Sequence, residues 1–227
     1  MTRIARPLTA LAAALLATAS LPALALEPFT ADYQASYMGM QANGVMTLAK
    51  QGADRWRYSL AIKNQVADLS QSTVFEEKGG QLRPLSSDDR SVFLIKKKAV
   101  TANYDWSTGQ ATWGGDLKAD RRGPVKLQPG DMDALLINLA IARDVNAGKT
   151  PSYRMVDEGR AKPMTYRVAG KEAVTVNGKT EQATKVSRTD GSKEIIAWIV
   201  PDMPVPVRIL QRENGQDALD LTIKALR

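Results

Sequence analysis

The sequence contains no cysteine and no histidine among its 227 residues. Without cysteine, no disulfide can brace the fold, no thiolate can act as a nucleophile and no lipid can be attached at a lipobox cysteine. Without histidine, Ser-His-Asp and Cys-His catalysis, imidazole acid-base chemistry and histidine-ligated zinc are excluded together. No serine is followed by lysine three positions later, and the glycines stand singly or in pairs rather than in a phosphate-binding loop. No Asp-x-Asp-x-Asp calcium loop occurs either, so neither a cofactor nor a metal is expected. Carboxylates are the remaining catalytic groups. Asp131 with Asp133, Asp157 with Glu158, and Asp88 with Asp89 are the pairs that glycosidase-type chemistry would draw on. Helix capping accounts for the first pair and turn contexts for the other two.

Long apolar runs are also scarce. The one of note lies near the start, where Arg3 and Arg6 precede LTALAAALLATASL and the small-residue pattern Ala23-Leu24-Ala25. This is the pattern of a cleaved secretory signal peptide over residues 1–25. Residues 26–227 are then expected to form a single β-rich domain in the periplasm, with no transmembrane segment after cleavage. Nucleic acid is disfavoured as a partner by that export signal. The formal charge of +7 falls to +5 once Arg3 and Arg6 are removed. A surplus of that size serves solubility, and secondarily attraction to anionic envelope polymers.

What the chain does have is alternation. FTADYQASYM, RWRYSLAIKN, SQSTVFEEK and the segments after Gly148 repeat apolar and polar residues with period two, and turn signals separate them at short intervals. Asn177-Gly178 and Asp190-Gly191 are hairpin dipeptides. Against that background GDMDALLINLAIARDVNAG, from Gly130 to Gly148, carries its apolar residues at helical spacing and around most of its circumference. Asp131 and Asp133 suit the N-terminus of such a helix and Gly148 its left-handed cap. The predicted fold is all-β and mainly antiparallel: a curved, spiral-like or incomplete barrel of roughly a dozen strands around one apolar helix at about 131–147.

Aromatic residues make up 6% of the chain. Trp56, Tyr58, Tyr104 and Trp106 are candidates to line a ligand groove, together with the helix residues Leu135 and Leu139; Trp56 and Trp198 fit the core better, because each sits in a strongly alternating strand. Lys96-Lys97-Lys98 is read as a guard on an edge strand in preference to a site for an anionic partner.

Several segments together resemble a bacterial envelope family known only as domain of unknown function 3108. They are Leu82-Arg83-Pro84, Tyr104-Asp105-Trp106 before a turn, Gly130-Asp131-Met132-Asp133-Ala134-Leu135-Leu136, Glu158-Gly159-Arg160, Tyr166-Arg167-Val168, Gly170-Lys171-Glu172, the run Ala197 to Asp202, and Pro206-Val207-Arg208-Ile209. Tyr-Asp-Trp stands where the family usually has Phe-Asp-Trp. The resemblance implies an exported, mostly β protein without established biochemistry. A curved sheet around a helix also looks like the fold of lipoprotein carriers, which is an analogy of fold alone. The functional expectation is a non-enzymatic binding or envelope-maintenance protein whose apolar groove takes a lipid, a lipoprotein or another envelope protein. The alternative is a carboxylate-dependent enzyme acting on cell-wall glycans.

Overall fold

Alternation becomes strand wherever one face can be buried, as β3 (Arg55–Lys63) shows: Trp56, Tyr58, Leu60 and Ile62 are buried while Arg55, Arg57 and Lys63 stay in solvent. The computed structural model of the chain describes residues 26–37 and 39–227; the expected signal peptide lies outside the described residues, as does Met38. The first half of the chain is a meander of β1 (Phe29–Tyr37), β2 (Met40–Lys50), β3, β4 (Ala67–Lys78), β5 (Gln81–Phe93), β6 (Lys96–Asp105), β7 (Gln110–Gly115) and β8 (Val125–Lys126). β9 (Asp131–Met132), helix α1 (Ala134–Asn146), β10 (Ser152–Asp157) and β11 (Arg160–Thr165) interrupt it. The meander then resumes through β12 (Arg167–Val176), β13 (Lys179–Asp190), β14 (Lys193–Ile199), β15 (Arg208–Glu213) and β16 (Gln216–Leu226).

β16 pairs antiparallel with β1, so the two meanders join into one curved open sheet of 13 strands whose edges are β8 and β12. The chain between those edges forms the helix and a small sheet in the order β11-β10-β9. The roughly dozen strands expected are thus sixteen among the described residues, the surplus coming mainly from short strands beside the helix.

The helix is the plug that its composition demanded. Leu135, Leu136, Ile137, Leu139, Ala140, Ile141 and Ala142 are all buried, against a lining that includes Tyr33, Met46, Tyr58, Phe75, Trp198 and Leu210. Its start is one turn later than the acidic residues suggested. Asp133 is the N-cap and accepts from Leu136 N, whereas Asp131 belongs to β9 and is buried against Arg154. At the far end Ala147 closes the helix and Gly148, at φ +71°, takes the left-handed position. Asn177-Gly178 forms a tight turn with both residues at positive φ, as that dipeptide favours. At the other predicted hairpin the loop is Gly191-Ser192, one residue later than expected, because Asp190 still pairs with Lys193.

A second apolar cluster lies at the β6–β7 side, where Tyr104 and Trp113 meet edge to face and Val156 of β10 packs on them. The small sheet is thereby anchored to the large one. The β10–β11 turn that completes this contact needs Gly159: at φ +70°, a Cβ there would lie 2.1 Å from Arg121 O.

Candidate functional site

The plug fills the middle of the sheet's concave face and leaves a pocket at each end. At its C-terminal end Leu139, Arg143 and Asn146 face Leu26, Phe29, Leu48, Met203 and Leu226 across a pocket of about 440 Å³. At its N-terminal end Ala134 and Asn138 face the interior of β2–β6, β15 and β16 across a pocket of about 340 Å³. Its floor is apolar, from Met46, Leu60, Ile62, Val100, Ile209 and Leu221. The wall and mouth carry Gln71, Asp89, Asn138 and Gln211, with Arg90, Lys98 and Glu158 as the charged groups. Both volumes fall in the lower range of small-molecule sites.

The second pocket is polar on one side because β4 and β5 change character halfway along. Phe75 and Leu82 face inward near one end of that pair, whereas Gln71 opposite Asp89 and Thr73 opposite Ser87 occupy the inward positions further on. The switch follows a register shift at Val74/Phe75, beside Pro84, whose missing N–H an interior strand tolerates at such an irregularity. These polar side chains meet the helix start. Thr73 Oγ1 donates to Asp133 Oδ2 at 2.5 Å, and Asp89, Asp133 and Asp157 converge on a cavity of about 10 Å³, room for about one water.

Three carboxyl groups in so small a space cannot all ionise cheaply. Burial first, then the charge of Asp133, pushes the Asp89 carboxyl from 3.8 up to about 7. The same two causes, with Asp89 added, raise Asp157 to about 7. Burial also raises Asp133, against the opposing effect of hydrogen bonds from Thr73, Leu136 and Leu135.

One member of each carboxylate pair seen in the sequence has therefore come into the cluster, and the pairs themselves have separated. Asp88 points away from its neighbour and binds Arg90, since successive strand residues face opposite ways, and both sit mid-strand in β5 rather than in a turn. Asp131 holds Arg154 and the Gln128 amide. Glu158, in the β10–β11 turn as its context suggested, binds Lys98 at 2.6 Å.

The aromatic candidates are distributed differently. Trp56 and Tyr58 are core residues, and the Tyr58 hydroxyl donates to Met46 Sδ at 3.2 Å. Tyr104 is buried and donates to Val156 O at 3.0 Å, which ties β6 to β10. Trp106 covers the Arg83 guanidinium at 4.5 Å and donates from Nε1 to Pro84 O. Leu135 is buried beside the carboxyl cluster, and Leu139 is the one sequence candidate that lines either large pocket. Trp198 joins the core, as expected of its strand. Sequence reasoning missed Gln71, Thr73 and Asn138; the signal open to it was the break in apolar alternation after Leu69.

The family model for a protein of unknown function, DUF3108, matches residues 32–222. The chain belongs to the DUF3108 family. A search of curated proteins found no match. Among solved structures this DUF3108 chain is similar to a β-barrel-like protein of the DUF1849 family from Brucella abortus, at 10% identity and a TM-score of 0.54, covering 88% of this chain and 97% of that one. MucB matches at 11% identity and a TM-score of 0.37 over 88% of this chain and 52% of its own. The DUF1849 likeness is one of fold: a barrel-like sheet. Among the described residues of the DUF3108 chain no helix is long and apolar enough to cross a membrane.

Proposed function

We propose that this DUF3108 protein is an exported, periplasmic binding protein that takes the apolar part of an amphiphile into the pocket at the N-terminal end of the helix. The observation that supports this reading most is the make-up of the pocket of about 340 Å³: an apolar floor under a wall and mouth of amides, Asp89 and the ion-paired Arg90, Lys98 and Glu158. An acyl chain fits the floor, and a polar head group fits Gln71, Asn138 and Gln211. Export rests on the N-terminal sequence pattern. The glycan-hydrolase reading has one point in its favour, the carboxyls raised to about 7. Against it, the space the carboxyls share holds about one water and not a sugar ring, and of Asp89, Asp133 and Asp157 only Asp89 reaches the larger pocket.

Titration with a fluorescent fatty acid such as parinaric acid tests the proposal. Saturable binding is expected, weakened at least about tenfold by Leu219→Trp, which places a bulky ring at the half-buried wall of the pocket. Affinity unmoved by this change, in a variant that melts normally, would reject the pocket.

A further inference from the structure

Antiparallel alternation puts the β1–β2, β3–β4, β5–β6, β13–β14 and β15–β16 turns at one end of the large sheet, the end on which the pocket opens. The β5–β6 turn is unusual among them. Leu94 is 64% and Ile95 is 92% exposed, although each is a large aliphatic residue. Leu94 also holds φ +53°, a left-handed conformation that glycine or asparagine would adopt at less cost. Its amide donates to Val66 O at 2.8 Å, so the apolar tip has a defined backbone held by the neighbouring turn. Single exposed aliphatics are common on proteins; two adjacent ones at a projecting turn, followed at once by Lys96-Lys97-Lys98, form an amphipathic arrangement. Lys98 is engaged with Glu158 and Arg90 with Asp88, while Lys96 and Lys97 have no acidic partner within ion-pair distance among the described residues.

We infer that this hairpin tip is a docking element for an anionic lipid surface, with Leu94 and Ile95 entering the acyl region and Lys96 and Lys97 meeting the head groups. The charge sign selects the occupant. Two uncompensated ammonium groups beside an apolar tip complement phosphate-bearing lipids, which attract lysine through their surface potential and accept aliphatic side chains below it. The lysines also suit the place they occupy in the sheet: β7 pairs with β6 only from Val100 onward, so Lys96–Lys98 overhang it and their outer backbone edge is open. β6 is thus an interior strand and not the edge strand expected from the sequence, with an open edge only at Lys96–Lys98. Arg90, Ser91 and Lys98 of the same hairpin line the pocket, so docking would hold the pocket mouth against the lipid surface. That last link rests on the amphiphile-binding reading; the docking itself rests on the hairpin.

Co-sedimentation of the purified protein with vesicles separates the two. Vesicles containing phosphatidylglycerol should retain the protein, with affinity falling as salt is raised. Both L94D/I95D and K96E/K97E should weaken retention at least about tenfold, with unchanged circular dichroism and melting temperature. Leu219→Trp should lose fatty-acid binding and keep vesicle binding. Absence of binding, equal binding to pure phosphatidylcholine vesicles, or binding unmoved by either double substitution would overturn the inference. Loss of fatty-acid binding alone leaves the docking standing and bears only on the pocket.

Discussion

Folding moves the titration of Asp89 and Asp157 from the acidic into the neutral pH range. In the unfolded chain each ionises near 3.8, whereas in the fold each keeps its proton up to about 7, chiefly because burial disfavours the charge. Between those limits the folded state binds more protons than the unfolded one, so these groups make stability fall as the pH rises from about 4 to about 7 and level off above. Asp157→Asn should therefore stabilise the protein by about 1–3 kcal/mol at pH 8 and by far less at pH 4.5, a figure below the full value of the shift because the three carboxyls titrate together. Urea denaturation of both proteins at the two pH values measures the difference. An equal effect at both would show that Asp157 is ionised or paired throughout. Asn keeps an oxygen for the Glu158 amide, which Asp157 Oδ1 accepts at 2.8 Å, so the turn itself is left in place.

The helix contains the contrast that separates packing from lining. Leu136 is fully buried and touches neither large pocket, whereas Asn138 is half-buried and borders the one at the N-terminal end. Leu136→Ala should cost about 2–5 kcal/mol, because the surrounding strands relax only partly into the space left. Asn138→Ala should cost about 0.5 kcal/mol, a surface-like value, since the side chain faces the pocket and no helix contact depends on it. Denaturant melts of the two variants provide the check, and similar losses would mean that Asn138 is part of the core. Helical spacing in the sequence identified the apolar faces, but not the directions in which the polar residues of this segment turn. Asp131 is not in the helix, and Arg143 borders the opposite pocket, 3.6 Å from Glu77. A helix inside a curved sheet has no solvent side of the usual kind, so its polar residues turn towards the openings left by the plug.

For the whole molecule, stability rests on the apolar plug, its sheet and a few buried polar links such as Tyr33 Oη to Pro206 O at 2.7 Å. With no cysteine and no histidine in the chain, melting should be unchanged within about 1 °C by a reducing agent or by EDTA. A drop of several degrees with EDTA would reveal an oxygen-ligated cation. That much the chain determined alone: the absent residue types remove whole chemistries wherever the backbone goes, and alternation, turn dipeptides and one apolar helix are local patterns, fixed by side-chain periods of two and 3.6 residues. Tertiary structure decided the rest. That β1 lies beside β16, and that Asp89, Asp133 and Asp157 meet although each sits in a different element, depend on pairings between residues far apart in sequence. The two pockets are set in the same way, by how far a helix of 13 residues extends along a sheet whose longest strand has 13. A helix rises about 1.5 Å per residue and a strand about 3.3 Å, so the plug cannot reach both ends of the sheet that surrounds it.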